Sequence, residues 1–89
     1  MNKQHAREQA QQFISHLGLS AKNCFLVRAP ADAISRTDVV YVDQEGYLSP
    51  LGLEDDRVVQ ACADILASDG APIVGNVIEA LAILRVRNQ

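Results

Sequence analysis

The segment at residues 73–86 limits what this chain can fold into, because it is apolar on nearly every side. Ten of its 14 residues are apolar. On a helical wheel the polar residues in and beside it form one narrow stripe, made of Gly75, Asn76, Glu79 and Arg87. A surface helix normally has a broad polar face, and a chain of 89 residues has few other elements to cover this one. We therefore expect the helix to run through the middle of the domain or to be covered by another subunit.

Self-association is the interpretation that this pattern favours. A domain of this length buries only about 60 to 65% of its unfolded surface, so it gains stability from a partner subunit. The expected assembly is a homodimer, because large exposed apolar patches mark interaction sites. Its predicted interface residues are Val77, Leu81, Ile83 and Leu84. The wheel leaves open which of them face the partner and which face the protomer's own core.

The first part of the chain predicts one amphipathic helix over residues 3–17. Its apolar positions recur with helical spacing, at Ala6, Ala10, Phe13, Ile14 and Leu17. Gly18 follows as the expected end of the helix, because glycine enters the left-handed capping conformation without a Cβ penalty.

Three strands are predicted next, at residues 24–27, 39–42 and 47–49. The last two form a β-hairpin near residues 39–49, closed by turn residues that include Gly46. Residues 31–36 are ambiguous and could form one helical turn after Pro30. A second helix begins near Glu54, where acidic residues suit a helix N-terminus, and ends at Gly70.

These elements predict a single α+β domain spanning residues 1–89. The expected order is α-β-β-β-α-α, with helices packed on an antiparallel three-stranded sheet. The strands at 25–27 and 39–42 are apolar on both faces, so the sheet needs two covering layers. The earlier helices could cover one face, leaving the last helix or a partner subunit for the other.

The charge distribution disfavours nucleic acid as a partner. The net charge is -3, and residues 43–69 alone carry seven acidic residues against one basic residue. This acidic middle could steer a partner protein with a basic surface, whereas phosphate would be repelled. A helix-turn-helix formed by residues 58–84 remains an alternative, although its second helix would present only Asn76 and Glu79 to base edges.

A second alternative is a small-ligand cleft between the sheet and the last helix, lined by Phe25, Tyr41 and Tyr47. These three aromatics are equally compatible with ordinary positions in a core or a hairpin.

Catalytic, cofactor and metal sites have no support in the sequence, so no such residues are predicted. The phosphate-binding, dinucleotide-binding and hydrolase motifs are all lacking. His5 and His16 lie about 16 Å apart along one predicted helix, which is too far to share an ion. Cys24 and Cys62 lie in apolar segments and are expected to be reduced core residues. The sequence therefore favours a cytoplasmic, non-enzymatic binding or regulatory module that does not insert into membranes.

Overall fold

The computed structural model describes residues 2–28 and 37–88, which form three α-helices and four β-strands. In chain order these are α1 (Lys3–Leu17), β1 (Cys24–Arg28), β2 (Thr37–Val42), β3 (Leu48–Pro50), α2 (Asp56–Ser68), β4 (Ile73–Val74) and α3 (Val77–Arg87). The first two helices and the hairpin confirm the expectations from sequence. The ambiguous turn at residues 31–36 lies outside the described residues.

The sheet is mixed and four-stranded, with the strand order β3-β2-β1-β4. The first three strands pair antiparallel, whereas β4 pairs parallel with β1, at Leu26 with Ile73 and Val27 with Val74. The three predicted strands therefore pair antiparallel as expected, but the predicted sheet lacked its fourth strand, which makes the observed sheet mixed. The sequence assigned Ile73 and Val74 to the last helix, because two apolar residues carry no periodicity of their own.

Helices α1 and α2 cover one face of the sheet. Leu26 of β1 and Val39 of β2 point to this face and are buried with the two helices in one core cluster. The helices approach each other closely through small residues, and the Cys62 Sγ lies 4.0 Å from the Ala10 carbonyl oxygen. The Gln60 side chain also ties α2 to the start of β2, because its amide nitrogen donates to the Thr37 carbonyl at 2.8 Å.

Helix α3 covers the other face of the sheet. It follows β4 and runs back along β1, so that its C-terminal Arg87 reaches the beginning of β1. Ala80 of α3 is completely buried in a second core cluster together with Phe25 and Val74. The last helix thus supplies one of the two covering layers that the sequence required.

The N-terminus of α3 is fixed by reciprocal hydrogen bonds between side chains and backbone. The Asn76 side chain accepts from the Glu79 backbone N–H at 3.0 Å, and the Glu79 carboxylate accepts from the Gly75 N–H at 2.6 Å. This arrangement is a form of the capping box, which satisfies amide groups that a helix leaves unpaired. It explains why α3 begins at Val77 and not at residue 73.

No helix within residues 2–28 and 37–88 is long and apolar enough to cross a lipid bilayer. The longest, α1, is amphipathic and has 15 residues.

Replacing Gly18 with alanine tests the left-handed end of α1. Gly18 has φ +65°, and a Cβ added there would meet nothing within 4 Å, so the cost is one of backbone conformation alone. We expect Gly18→Ala to lower the free energy of unfolding by about 1 to 2 kcal/mol, measured by urea denaturation. The control is Gly75→Ala, because Gly75 is not among the glycines with positive φ and its added Cβ would make only ordinary contacts. Equal stability losses in the two variants would contradict this account.

Candidate interaction surface

Exposed apolar side chains of the described residues are concentrated at the C-terminal end of the chain. Six large hydrophobic residues are exposed among the described residues, and five of them lie between residues 73 and 86: Ile73, Val77, Ile78, Leu81 and Val86. The sixth is Tyr47 in the hairpin. Four of the five belong to α3. Because polar residues usually occupy such positions, this concentration marks α3 as a candidate interaction surface.

One side of α3 is occupied by its own sheet. The residues on this side recur at helical spacing: Ala80 is buried, Leu84 is half-buried, and Arg87 lies over the Phe25 ring at 5.3 Å from its centroid. Arg87 also donates to the Lys22 carbonyl oxygen at 3.1 Å. The guanidinium group therefore holds the C-terminal end of α3 on β1 by a cation–π contact and a hydrogen bond.

The opposite side of α3 faces solvent. Ile78 lies there with 76% of its surface exposed, next to the exposed small residue Ala82. Val77 and Leu81 form the flank between this side and the sheet, and they are 44% and 49% exposed. The second apolar face that the wheel revealed is thus left uncovered by the chain's other described elements.

The structure divides the four predicted interface residues into two pairs. Val77 and Leu81 are exposed and available to a partner. Ile83 and Leu84 are half-buried and pack against the protomer's own second core cluster. Ile78, which is more exposed than any of the four, was missed because an all-round apolar wheel does not show which side meets the sheet.

The described elements cover the sheet face beneath α3 on one half only. On β1 and β4, Phe25 and Val74 are buried to 0% and 4% exposure. On β2 and β3, the residues that point to the same face are only half-buried: Val40, Val42 and Leu48. A helix is about 10 Å wide, whereas four strands at a spacing of about 4.8 Å extend over almost twice that width. One helix is therefore too narrow to cover this face.

The three aromatics of the proposed ligand cleft do not come together. Phe25 is fully buried beneath α3, and Tyr41 packs with α1 and α2 on the opposite face of the sheet. Their strand register requires this separation, since Tyr41 pairs with Cys24, the neighbour of Phe25, and adjacent residues alternate between faces. Tyr47 lies in the hairpin loop and is 69% exposed.

Residues 58–84 do not form a helix-turn-helix. Strand β4 lies between α2 and α3 and pairs with β1. The two helices pack on opposite faces of the sheet, so neither can support the other in a groove of DNA.

Asp43 of the hairpin has a structural role. The Asp43 carboxylate accepts from the Ser49 hydroxyl at 2.8 Å and from the backbone N–H groups of Glu45 and Tyr47 at 2.9 and 3.0 Å. These donors, Ser49 foremost, hold the pKa of Asp43 below its ordinary value. Within the part of the chain that the structure describes, no group of three or more His, Cys, Asp or Glu residues could hold a metal ion.

Compared with known protein families, curated proteins and solved structures, the chain shows no match to any of them. The candidate surface is therefore defined by the geometry of α3 and of the sheet beside it.

The two cysteines are free and completely buried. Burial raises the pKa of the Cys24 thiol. Burial, with a smaller contribution from nearby Cys24, raises the pKa of Cys62 to about 11. Because the thiolate is the nucleophile, neither group is suited to covalent catalysis at neutral pH.

Thiol labelling with Ellman's reagent tests this assignment. At pH 8 we expect both cysteines of the native protein to react at least about 100-fold more slowly than in urea, because the thiolate fraction is small and the sulfur atoms are inaccessible. The unfolded protein serves as the control and should release two equivalents of chromophore. Rapid labelling of either thiol in the native state would show that it is accessible.

Proposed function

We propose that this protein is a non-enzymatic protein-interaction module that self-associates through α3 as a homodimer. The observation that carries the proposal is the exposure of apolar residues on the helix, above all Ile78 and Leu81. A second copy of the chain offers a matching apolar surface at equal concentration, as homodimeric interfaces require.

The energetics of a small domain support the same conclusion. Burying an isoleucine or leucine side chain that is otherwise exposed contributes about 1.5 to 3 kcal/mol, and a two-fold interface counts every such contact twice. The domain's own core relies on small residues at several buried positions, among them Ala6, Ala10 and Ala80. Association would therefore add substantially to a modest apolar core.

We place the module in a reducing compartment, the cytoplasm. Support comes from Cys24 and Cys62, which are both free thiols in a small domain, whereas small secreted domains commonly use their cysteines in disulfides.

Sedimentation velocity over a range of about 1 to 200 µM tests self-association. We expect the wild-type protein to shift from monomer to dimer, and its thermal unfolding midpoint to rise with concentration. Leu81→Asp should weaken the dimer at least about 100-fold, because it places a charge in an apolar contact. Circular dichroism should show an unchanged fold, since Leu81 is half exposed in the monomer.

Two further variants complete this experiment. Ile73→Asp is the matched control, because Ile73 is 53% exposed but pairs with Leu26, whose side chain faces α1 and α2. It should leave the dimer intact. Leu84→Asp should instead destabilise the monomer, because Leu84 packs on the protomer's own sheet. A wild-type monomer at every concentration, or an undisturbed dimer of Leu81→Asp, would overturn the proposal.

A further inference from the structure

We infer that the uncovered half of the sheet, on β2 and β3, is the docking site for α3 of a second copy. This inference rests on the proposed self-association and specifies which surfaces meet. Within residues 2–28 and 37–88, each protomer has one helix face without a covering layer and one half-sheet without a covering helix. Both surfaces are apolar and both lack a covering element in the described part of the chain. One two-fold symmetric interface therefore covers the helix face and the half-sheet of each protomer.

The resulting dimer has the two α3 helices side by side between the two sheets. Each α3 then packs on β1 and β4 of its own chain and on β2 and β3 of the other. The helix would present Ile78 and Ala82 to the second sheet, where Val40, Val42 and Leu48 are half-buried in the monomer. This layered arrangement accounts for a helix that is apolar on opposite sides.

The direction of the chain determines how the helices pair. A two-fold rotation of this dimer must exchange the two sheets and also the two α3 helices, which lie side by side. Only an axis parallel to the helices does both. The two α3 helices therefore run in the same direction. The connection from β1 through α2 to β4 joins parallel strands, and about 98% of such connections are right-handed. With a right-handed connection, the flank of α3 that carries Val77 and Leu81 faces β2 and β3.

Side-chain exposure agrees with this orientation. Val77 and Leu81 are 44% and 49% exposed, whereas Val86, on the flank that would face the β4 edge, is 70% exposed. Val77 and Leu81 are four residues apart on one flank of α3, which is a spacing found in the seam between two parallel helices.

Charge complementarity supports a second copy as the partner. Arg85 is exposed near the C-terminus of α3, at the same end of the sheet as the hairpin loop between β2 and β3. That loop contains the exposed Glu45. In the parallel dimer, Arg85 of each copy extends toward the hairpin loop of the other, where an acidic side chain stabilises the guanidinium group.

Disulfide trapping tests the pairing of the helices. Leu81→Cys should form an intermolecular disulfide under mild oxidation, because a parallel two-fold pair places residue 81 of one helix beside residue 81 of the other. Val86→Cys is the matched control: it lies on the same helix, is more exposed and should cross-link at least tenfold more slowly. The native cysteines are buried and should not interfere. Faster cross-linking of Val86→Cys than of Leu81→Cys would overturn the arrangement.

A charge exchange tests the contact between α3 and the hairpin. Arg85→Glu alone and Glu45→Arg alone should each weaken the dimer about tenfold, because each places like charges together in both symmetric contacts. An equimolar mixture of the two variants should restore wild-type affinity, since every contact in the mixed dimer joins opposite charges. Sedimentation velocity with one variant fluorescently labelled measures this recovery.

The outcomes separate this inference from the proposed function. A wild-type dimer without preferential trapping at residue 81, or without recovery in the mixture, overturns the docking geometry and leaves self-association intact. A wild-type protein that stays monomeric to 200 µM overturns both.

Discussion

The fold depends on a central strand, β1, that is buried on both sides of the sheet. Phe25 and Leu26 are neighbours in this strand, and each is almost completely buried against a different helical layer. A strand of this kind is stable only if both layers are present. The described part of the chain has two helices for one layer and a single helix for the other. This imbalance leaves apolar surface on α3 and on the outer half of the sheet.

Local signals in the sequence were sufficient for most of the fold. The periodic residues of α1 and its terminal Gly18, together with the turn at Gly46, specified their elements without tertiary information. These features depend on backbone preferences and spacing that operate within a few residues. The spacing of three residues from Asn76 to Glu79 is a further local signal, a capping box, which also indicates where α3 begins.

Two features required the tertiary structure. The pairing of β4 with β1 joins Ile73 to Leu26 across most of the chain, and two apolar residues do not specify a distant partner. The side of α3 that meets the sheet was hidden because the helix is apolar all round. Ala80 proved to be the completely buried residue of α3, and its small size between larger hydrophobic residues is the one signal of this side that the sequence contained.

The late position of α3 in the chain has a consequence for synthesis on the ribosome. The strands that carry Phe25 and Val40 emerge well before residues 73–87, so one face of the nascent hairpin lacks its own helix for an interval. During that interval the apolar face that α3 later covers is exposed to solvent. The lag between the synthesis of the strands and that of α3 therefore sets how long this face remains without its own covering helix.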